Sequence, residues 1–216
     1  MALTATIYAF DIELADVDRG VYETLALRVA RHPSETEDYL LTRVLAYCLE
    51  YAEGIGFSSG LSDPDEPTLA VRDLTGVVRV WVEIGAPDAA RIHKASKAAP
   101  RVVVYTHKDP EKLITQWRGE RIHRAGQLEL YSMDRRLLAE LVARLERRMT
   151  LALSVTSGQK GRGMQACLPS GSSCRIGSPS HQAQRRFGSW RIFSQSAWIG
   201  SRGLTRLRMA LDPHAT

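Results

Sequence analysis

Three kinds of feature are scarce in this chain of 216 residues, and each scarcity removes a class of protein. No stretch approaches the ~20 consecutive apolar residues that a membrane-spanning helix needs. The opening Met1-Ala2-Leu3-Thr4 has neither a basic cluster nor a long apolar run, so it does not read as a secretory signal. Cysteine occurs only at positions 48, 167 and 174, an odd number with no repeated spacing and a poor disulfide framework. No CxxC or HxxxH pair offers the ligand spacing of a zinc site. These absences point to a soluble, cytosolic protein. Cys48, set among Tyr47, Leu49 and Tyr51, reads as a small buried hydrophobe rather than a reactive thiol.

Acidic residues are scarce in one place only. After Gln159 there are nine basic residues against the single acid Asp212, a net charge of +8. The rest of the chain holds 20 basic and 23 acidic residues, a net charge of −3. The basic pI of about 9.3 therefore describes residues 160–216, not the body. That Gly/Ser/Arg-rich segment shows no clean period and is expected to be a poorly ordered tail. Its Trp190, Phe193 and Trp198 interleave with arginines, a pattern that also suits single-stranded nucleic acid.

The first 159 residues are patterned. Tyr8, Phe10, Ile12 and Leu14 alternate with polar or small residues, and so do Leu25, Leu27 and Val29. Two strands joined by the turn chemistry of Asp16 to Gly20 form a predicted hairpin. Ser34 and Glu37 fit a capping box, and Leu41, Val44, Leu45 and Cys48 follow at helical spacing until Gly54 and Gly56. A second hairpin runs from Leu69 through Asp73-Leu74-Thr75-Gly76 to Ile84. A helix follows from Pro87 to about Ala99. The nearly all-apolar Arg101 to Tyr105 reads as a strand covered on both faces. A helix past Trp117, a strand at Leu128 to Met133 and a helix over Leu137 to Leu145 complete the order. The predicted class is α/β (α+β), a mixed sheet flanked by helices.

The second hairpin carries the candidate site. With Thr75-Gly76 as a two-residue turn, Leu74 faces Val77 and Glu83 lies opposite Thr68. Glu66 is then a diagonal neighbour of Glu83 on the same face, and a one-residue slip would substitute Asp65. Carboxylates gathered on one face repel unless a cation or proton sits among them, and an oxygen-rich set suits Mg²⁺ or Mn²⁺. Glu37 stands four, seven and eleven residues before Leu41, Val44 and Cys48, on the helix's buried stripe. Plainer roles compete: Glu37 as a cap alone, Glu83 paired with Arg79, and Asp65 and Glu66 as a solvated loop.

Several blocks in order resemble one bacterial family. They are His32 to Glu37, Gly60 to Pro67, Trp81 to Asp88, Arg91 to Ala95 and Met149-Thr150-Leu151. Over residues 1–159 the chain resembles the YaeQ family. The resemblance implies a variant of the restriction-endonuclease-like PD-(D/E)xK core. It further implies a nuclease-like phosphodiesterase that uses divalent Mg²⁺ or Mn²⁺, with Glu37, Asp65, Glu66 and Glu83 as metal ligands and nucleic acid as the partner. That superfamily places a lysine two residues after its second acid, and here Gly85 stands there. Lys94 is the expected replacement, with Arg91 and Lys97 as alternatives. The rival expectation is a non-catalytic module that binds nucleic acid or protein, associated with transcription.

Overall fold

A computed structural model describes residues 5–58, 65–158, 161–167, 190–194 and 205–211, with side chains at 5–58 and 65–156. The predicted first hairpin is present as β1 (Thr6–Asp16) and β2 (Val21–Arg31), paired antiparallel without a bulge over all eleven positions. Phe10, Ile12 and Leu14 are buried and Asp11 and Glu13 exposed, as their alternation requires. The turn is held by Asp16, whose buried carboxylate accepts from the Arg19 backbone N–H at 3.2 Å and from Arg19 Nε at 2.6 Å.

α1 spans Glu37–Leu49, and its cap differs from the expected one. Thr36, not Ser34, caps it: the Thr36 hydroxyl accepts from the Tyr39 backbone N–H at 3.2 Å. Ser34 is taken up locally by the His32 ring at 2.6 Å. Every residue from Leu40 to Ala46 is buried, so α1 is enclosed on all sides rather than along one stripe. Its first turn is the exception, and the Glu37 side chain is 40% exposed. Cys48 is fully buried, and burial pushes its thiol up to about 12, in keeping with an inert hydrophobe.

The short β3 (Ile55–Phe57) was not apparent in the pattern. It leads into β4 (Leu69–Arg72) and β5 (Val78–Ile84). Their register is the predicted one from Leu69↔Val82 to Val71↔Val80, then shifts at Arg72↔Val78. The turn is therefore one residue longer than expected, with Gly76 at φ 83 and Arg79 the extra residue of a bulge. Asp73 organises it by accepting from the Thr75 and Val77 amides and from Arg79 Nε at 2.7 Å.

α2 (Ala89–Ala98), β6 (Arg101–Thr106), α3 (Pro110–Trp117), β7 (Glu129–Ser132) and α4 (Arg135–Val142) follow in the expected order. Each of these helices starts on an aspartate cap: Asp88, Asp109 and Asp134. β5, β6 and β7 run parallel.

The expected single mixed sheet is two sheets. β8 (Arg148–Gly158), a strand the sequence reading passed over, lies parallel to β1. The four-stranded sheet runs β2-β1-β8-β9, where β9 is Gly161–Cys167. The seven-stranded sheet runs β10-β11-β7-β6-β5-β4-β3, where β10 is Trp190–Ser194 and β11 is Thr205–Leu211. The expectation of a poorly ordered tail falls mostly outside the described residues; those described within 160–216 are these three strands.

One core joins the four-stranded sheet, α1, α4 and one face of the seven-stranded sheet, through Phe10, Leu40, Leu45, Val82, Val103 and Leu151. The second lies on that sheet's other face, under α2 and α3, and includes Trp81, Ile92, Val104 and Trp117. Among the described residues no helix is long and apolar enough to cross a membrane.

Candidate active site

β5 alternates between the two cores. Val82 and Ile84 face α1, while Trp81 and Glu83 face α2. Glu83 is only 2% exposed, so its carboxylate must be satisfied from within the protein. Three side chains do this. Trp81 Nε1 donates to Oε1 at 2.6 Å, Arg91 Nε approaches the same oxygen at 2.8 Å, and the Thr68 hydroxyl donates to Oε2 at 3.0 Å. The Thr68 contact is the cross-strand neighbour that the hairpin register required.

α2 also gathers the acidic loop before β4. Arg91 donates through Nη2 to the Glu66 backbone carbonyl at 2.8 Å, linking that loop to Glu83. Lys94, one turn on, forms an ion pair with Asp65. Lys94 therefore reaches Asp65, and Arg91 is the α2 cation that touches Glu83. Arg79 pairs with Asp73, so the alternative Arg79–Glu83 pair does not form.

Glu37 stands apart. It sits in the first turn of α1, which packs on the opposite face of the sheet from Glu83, and it pairs with Arg31 at 3.3 Å. The structure thus brings Asp65, Glu66 and Glu83 to one end of the hairpin and leaves Glu37 elsewhere. Among the described residues no three His, Cys, Asp or Glu side chains converge as a metal cage. Glu83 Oε1 already holds two donors, one of them a guanidinium, and Asp65 holds an ammonium. In this arrangement Glu83 and Asp65 are each charge-balanced by a protein cation, and with those cations in place the pair does not fit a resident divalent ion.

Gly85, at the lysine position of the expected motif, has its own reason to be glycine. Its φ is 86, a conformation that side chains disfavour, and its N–H extends the ladder to the Tyr105 carbonyl at 2.8 Å. A Cβ there would lie 3.4 Å from the Tyr39 ring and 3.7 Å from His107. Those two rings meet edge to face, with centroids 6.2 Å apart. Burial raises the Tyr39 phenol, against the lowering effect of its hydrogen bond with Thr68. Burial lowers the His107 ring, aided by Lys108, and its Nδ1 is enclosed without a partner. Tyr39 and His107 escaped the sequence reading because they come from α1 and the end of β6, far from the acidic blocks in sequence.

Among the described residues the fold is a mixed α+β one of two sheets and four α-helices. The sequence profile of the YaeQ protein family matches residues 1–161, and the chain belongs to the YaeQ family. It is similar to "Uncharacterized protein YaeQ" of Escherichia coli K12, 36% identical over 160 residues, which are 73% of this chain and 88% of that protein. The Salmonella typhi protein of the same description is 35% identical over 159 residues, with the same shares. Among solved structures, the YaeQ protein from Pseudomonas syringae superposes with a TM-score of 0.65 at 28% identity, over 80% of this chain and 100% of that one. The Xanthomonas axonopodis pv. citri YaeQ structure shares the fold, with a TM-score of 0.63 at 24% identity over 96% and 98% of the two chains.

Proposed function

We propose that this chain is a non-catalytic, phosphodiester-binding module built on a restriction-endonuclease-like core. The observation that carries the reading is charge balance. Three of the four acids expected to bind metal have a protein cation: Glu83 has Arg91, Asp65 has Lys94 and Glu37 has Arg31, while the fourth, Glu66, is tied to Arg91 through its backbone carbonyl. The position that would hold a positioning lysine is a glycine with positive φ. Such a site has the outline of a hydrolytic centre without its working parts.

Nucleic acid is the proposed partner because basic residues collect on the exposed side of α2. The His123 backbone N–H donates to His93 Nδ1 at 3.2 Å, which lays the loop 118–124 against the helix. That loop carries Arg121, His123 and Arg124, and Lys97 lies one turn beyond His93 on α2. Arg124 adopts φ 50, a left-handed conformation, as the chain turns there. Clustered Lys and Arg of this kind attract phosphates by releasing their counterions.

A second reading, metal-dependent cleavage by a nuclease-like phosphodiesterase using Mg²⁺ or Mn²⁺, is favoured by one observation. Among the described residues the Thr68 hydroxyl donates to Glu83 Oε2, the oxygen opposite the one that Arg91 meets, and the Asp65-Glu66 loop stands beside it. In that reading Glu66 and Glu83 act with Lys94 or Arg91 in the reaction, and the cation supplies charge neutralisation at the phosphate. The experiment that separates the two uses fluorescently labelled DNA and RNA oligonucleotides. Binding in EDTA that weakens with salt, falls in Lys97→Glu and Arg124→Glu, and yields no cleavage with Mn²⁺ supports the binding module. Cleavage that needs Mn²⁺ and disappears in Glu83→Gln establishes the enzyme instead.

A further inference from the structure

Among the described residues the longest sheet edge belongs to β2, and its backbone geometry shows what it offers. The Ala9 N–H donates to the Arg147 carbonyl at 2.8 Å on the β8 side. Ala9 therefore points its peptide groups away from β2, and so does its opposite number Arg28 in the other direction. By period two, the N–H and C=O groups of Tyr22, Thr24, Ala26, Arg28 and Ala30 all face outward from the edge. The Ala30 carbonyl is already taken, since it accepts from the buried Arg43 Nη2 at 2.6 Å, so the open run of the edge is Tyr22 to Arg28. Among the described residues no strand pairs with this side of β2.

Edges of this length are usually blunted by charged side chains, lysine above all, by a proline or by a bulge. β2, Val-Tyr-Glu-Thr-Leu-Ala-Leu-Arg-Val-Ala-Arg, has no lysine, proline or bulge, and its three charges, Glu23, Arg28 and Arg31, are of both signs and can complement one another across a two-fold. At eleven residues it is about twice the usual strand length. The seven-stranded sheet, in contrast, ends on the three-residue β3.

We propose that β2 pairs with β2 of a second copy of this chain, antiparallel about a two-fold axis at Leu27, joining the two four-stranded sheets into one. The charges select this register. With Leu27 opposite Leu27 of the second copy, the exposed Glu23 faces Arg31 of that copy, whose guanidinium it shares with Glu37 at 3.3 Å, twice over by symmetry. On the outer face Arg28 of the second copy stands beside Ala26, whose other neighbour is Asp11. The small Ala26 side chain lets that arginine reach across to the exposed Asp11, about two strand spacings away. A one-residue slip puts core-facing side chains opposite solvent-facing ones, and a two-residue slip separates both charge pairs. Leu27, half-buried at the rim of the core, gains cover from its counterpart.

The test begins with the mass of the full chain in solution by light scattering from 1 to 100 μM. The expected result is twice the 24.0 kDa of one chain at the upper concentrations. Leu27 sits in a non-hydrogen-bonded pair, where Cα atoms lie about 4.5 Å apart, within disulfide range. Leu27→Cys should thus form a covalent dimer on mild oxidation, with the bond mapped by mass spectrometry between the two introduced thiols. Ala26→Cys, offset from its own copy, should not. Glu23→Lys alters an exposed residue that the fold does not use, and by placing like charges opposite Arg31 it should weaken association about tenfold. A monomer throughout the range overturns the proposal. So does a dimer that Glu23→Lys leaves intact and Leu27→Cys does not cross-link, because the interface then lies elsewhere. Slow hydrogen exchange of the Thr24, Ala26 and Arg28 amides in a monomer would assign the edge to another occupant, such as the chain's own C-terminal segment, and would also overturn it.

Discussion

Removing Arg91 isolates the interaction on which the candidate site depends. In Arg91→Ala the Glu83 carboxylate keeps Trp81 and Thr68 as donors but loses its counter-charge. Breaking a fully buried ion pair by deleting one partner costs about 3–5 kcal/mol. The Glu83 side chain is 3% exposed but that of Arg91 is 25% exposed, so water enters the vacated space. The expected loss is then about 2–3 kcal/mol. Glu83→Gln keeps the shape and removes the charge, for about 1–2 kcal/mol through weakened hydrogen bonds. In the double variant no unpaired charge remains, so its loss should fall short of the sum by about 1–2 kcal/mol. Urea unfolding of the four proteins in EDTA closes the cycle. Additivity within about 0.3–0.5 kcal/mol, the figure typical of independent sites, would refute the claim that Arg91 neutralises Glu83. Repeating the melts with Mn²⁺ adds a second reading. If the vacated pocket takes the cation, Arg91→Ala regains about 2.7 kcal/mol at a hundred times the dissociation constant, and wild type gains less. No gain in either protein agrees with the binding module.

Four further predictions follow from other contacts and from the backbone. Arg101 clamps Glu50 (2.6 and 3.2 Å) and Glu129 (both 3.1 Å), each carboxylate also accepting from a tyrosine, so Arg101→Met should cost about 2 kcal/mol in urea unfolding. Lys94→Ala removes only the exposed pair with Asp65 and should change stability by under about 0.5 kcal/mol; comparable losses would show that burial does not set the difference. Because burial lowers the His107 ring below its ordinary value near 6.5, the unfolded chain takes up the proton first as pH falls. Stability should be full above about 6.5 and decline below it until the folded-state value is passed, and His107→Phe should lessen the drop in urea midpoint between pH 7.5 and 5.5. An unchanged drop in that variant assigns the pH dependence to other groups. Gly85→Lys, which supplies the motif lysine, should cost about 1–2 kcal/mol because its φ of 86 disfavours a side chain, and should confer no cleavage with Mn²⁺; wild-type stability in that variant would refute the backbone argument.

Local pattern carried much of the fold. The alternation over Tyr8 to Leu14 placed a half-buried strand, because a pleat shows successive residues to opposite sides. Turn chemistry around Asp73 to Gly76 set the pairing of β4 with β5 within one residue at the loop, and with it the Thr68–Glu83 contact. The chosen cap failed because Ser34 and Thr36 both precede a helical run, and the choice between them depends on His32 and Arg43, which claim Ser34 and Glu35. The single sheet failed because periodicity says which face a strand buries but not which strand lies beside it. Placing β8 against β1 is a contact across more than 130 residues.

The candidate site divides along the same line. Its acids were legible in the sequence because they cluster around one hairpin, and the absence of a lysine at Gly85 could be read directly. Which cation meets which acid could not be read, since Arg91, Lys94 and Lys97 lie within two turns of one helix. The rotation of α2 against the sheet, set by burying Ile92 and Ala95 under Trp81, aims Arg91 at Glu83 and Lys94 at Asp65. Sequence alone determined most of the elements up to α4 and their chemistry, because those follow from contacts between near neighbours. The tertiary structure decided the pairing of charges, because packing two surfaces together sets angles and distances that no local spacing contains.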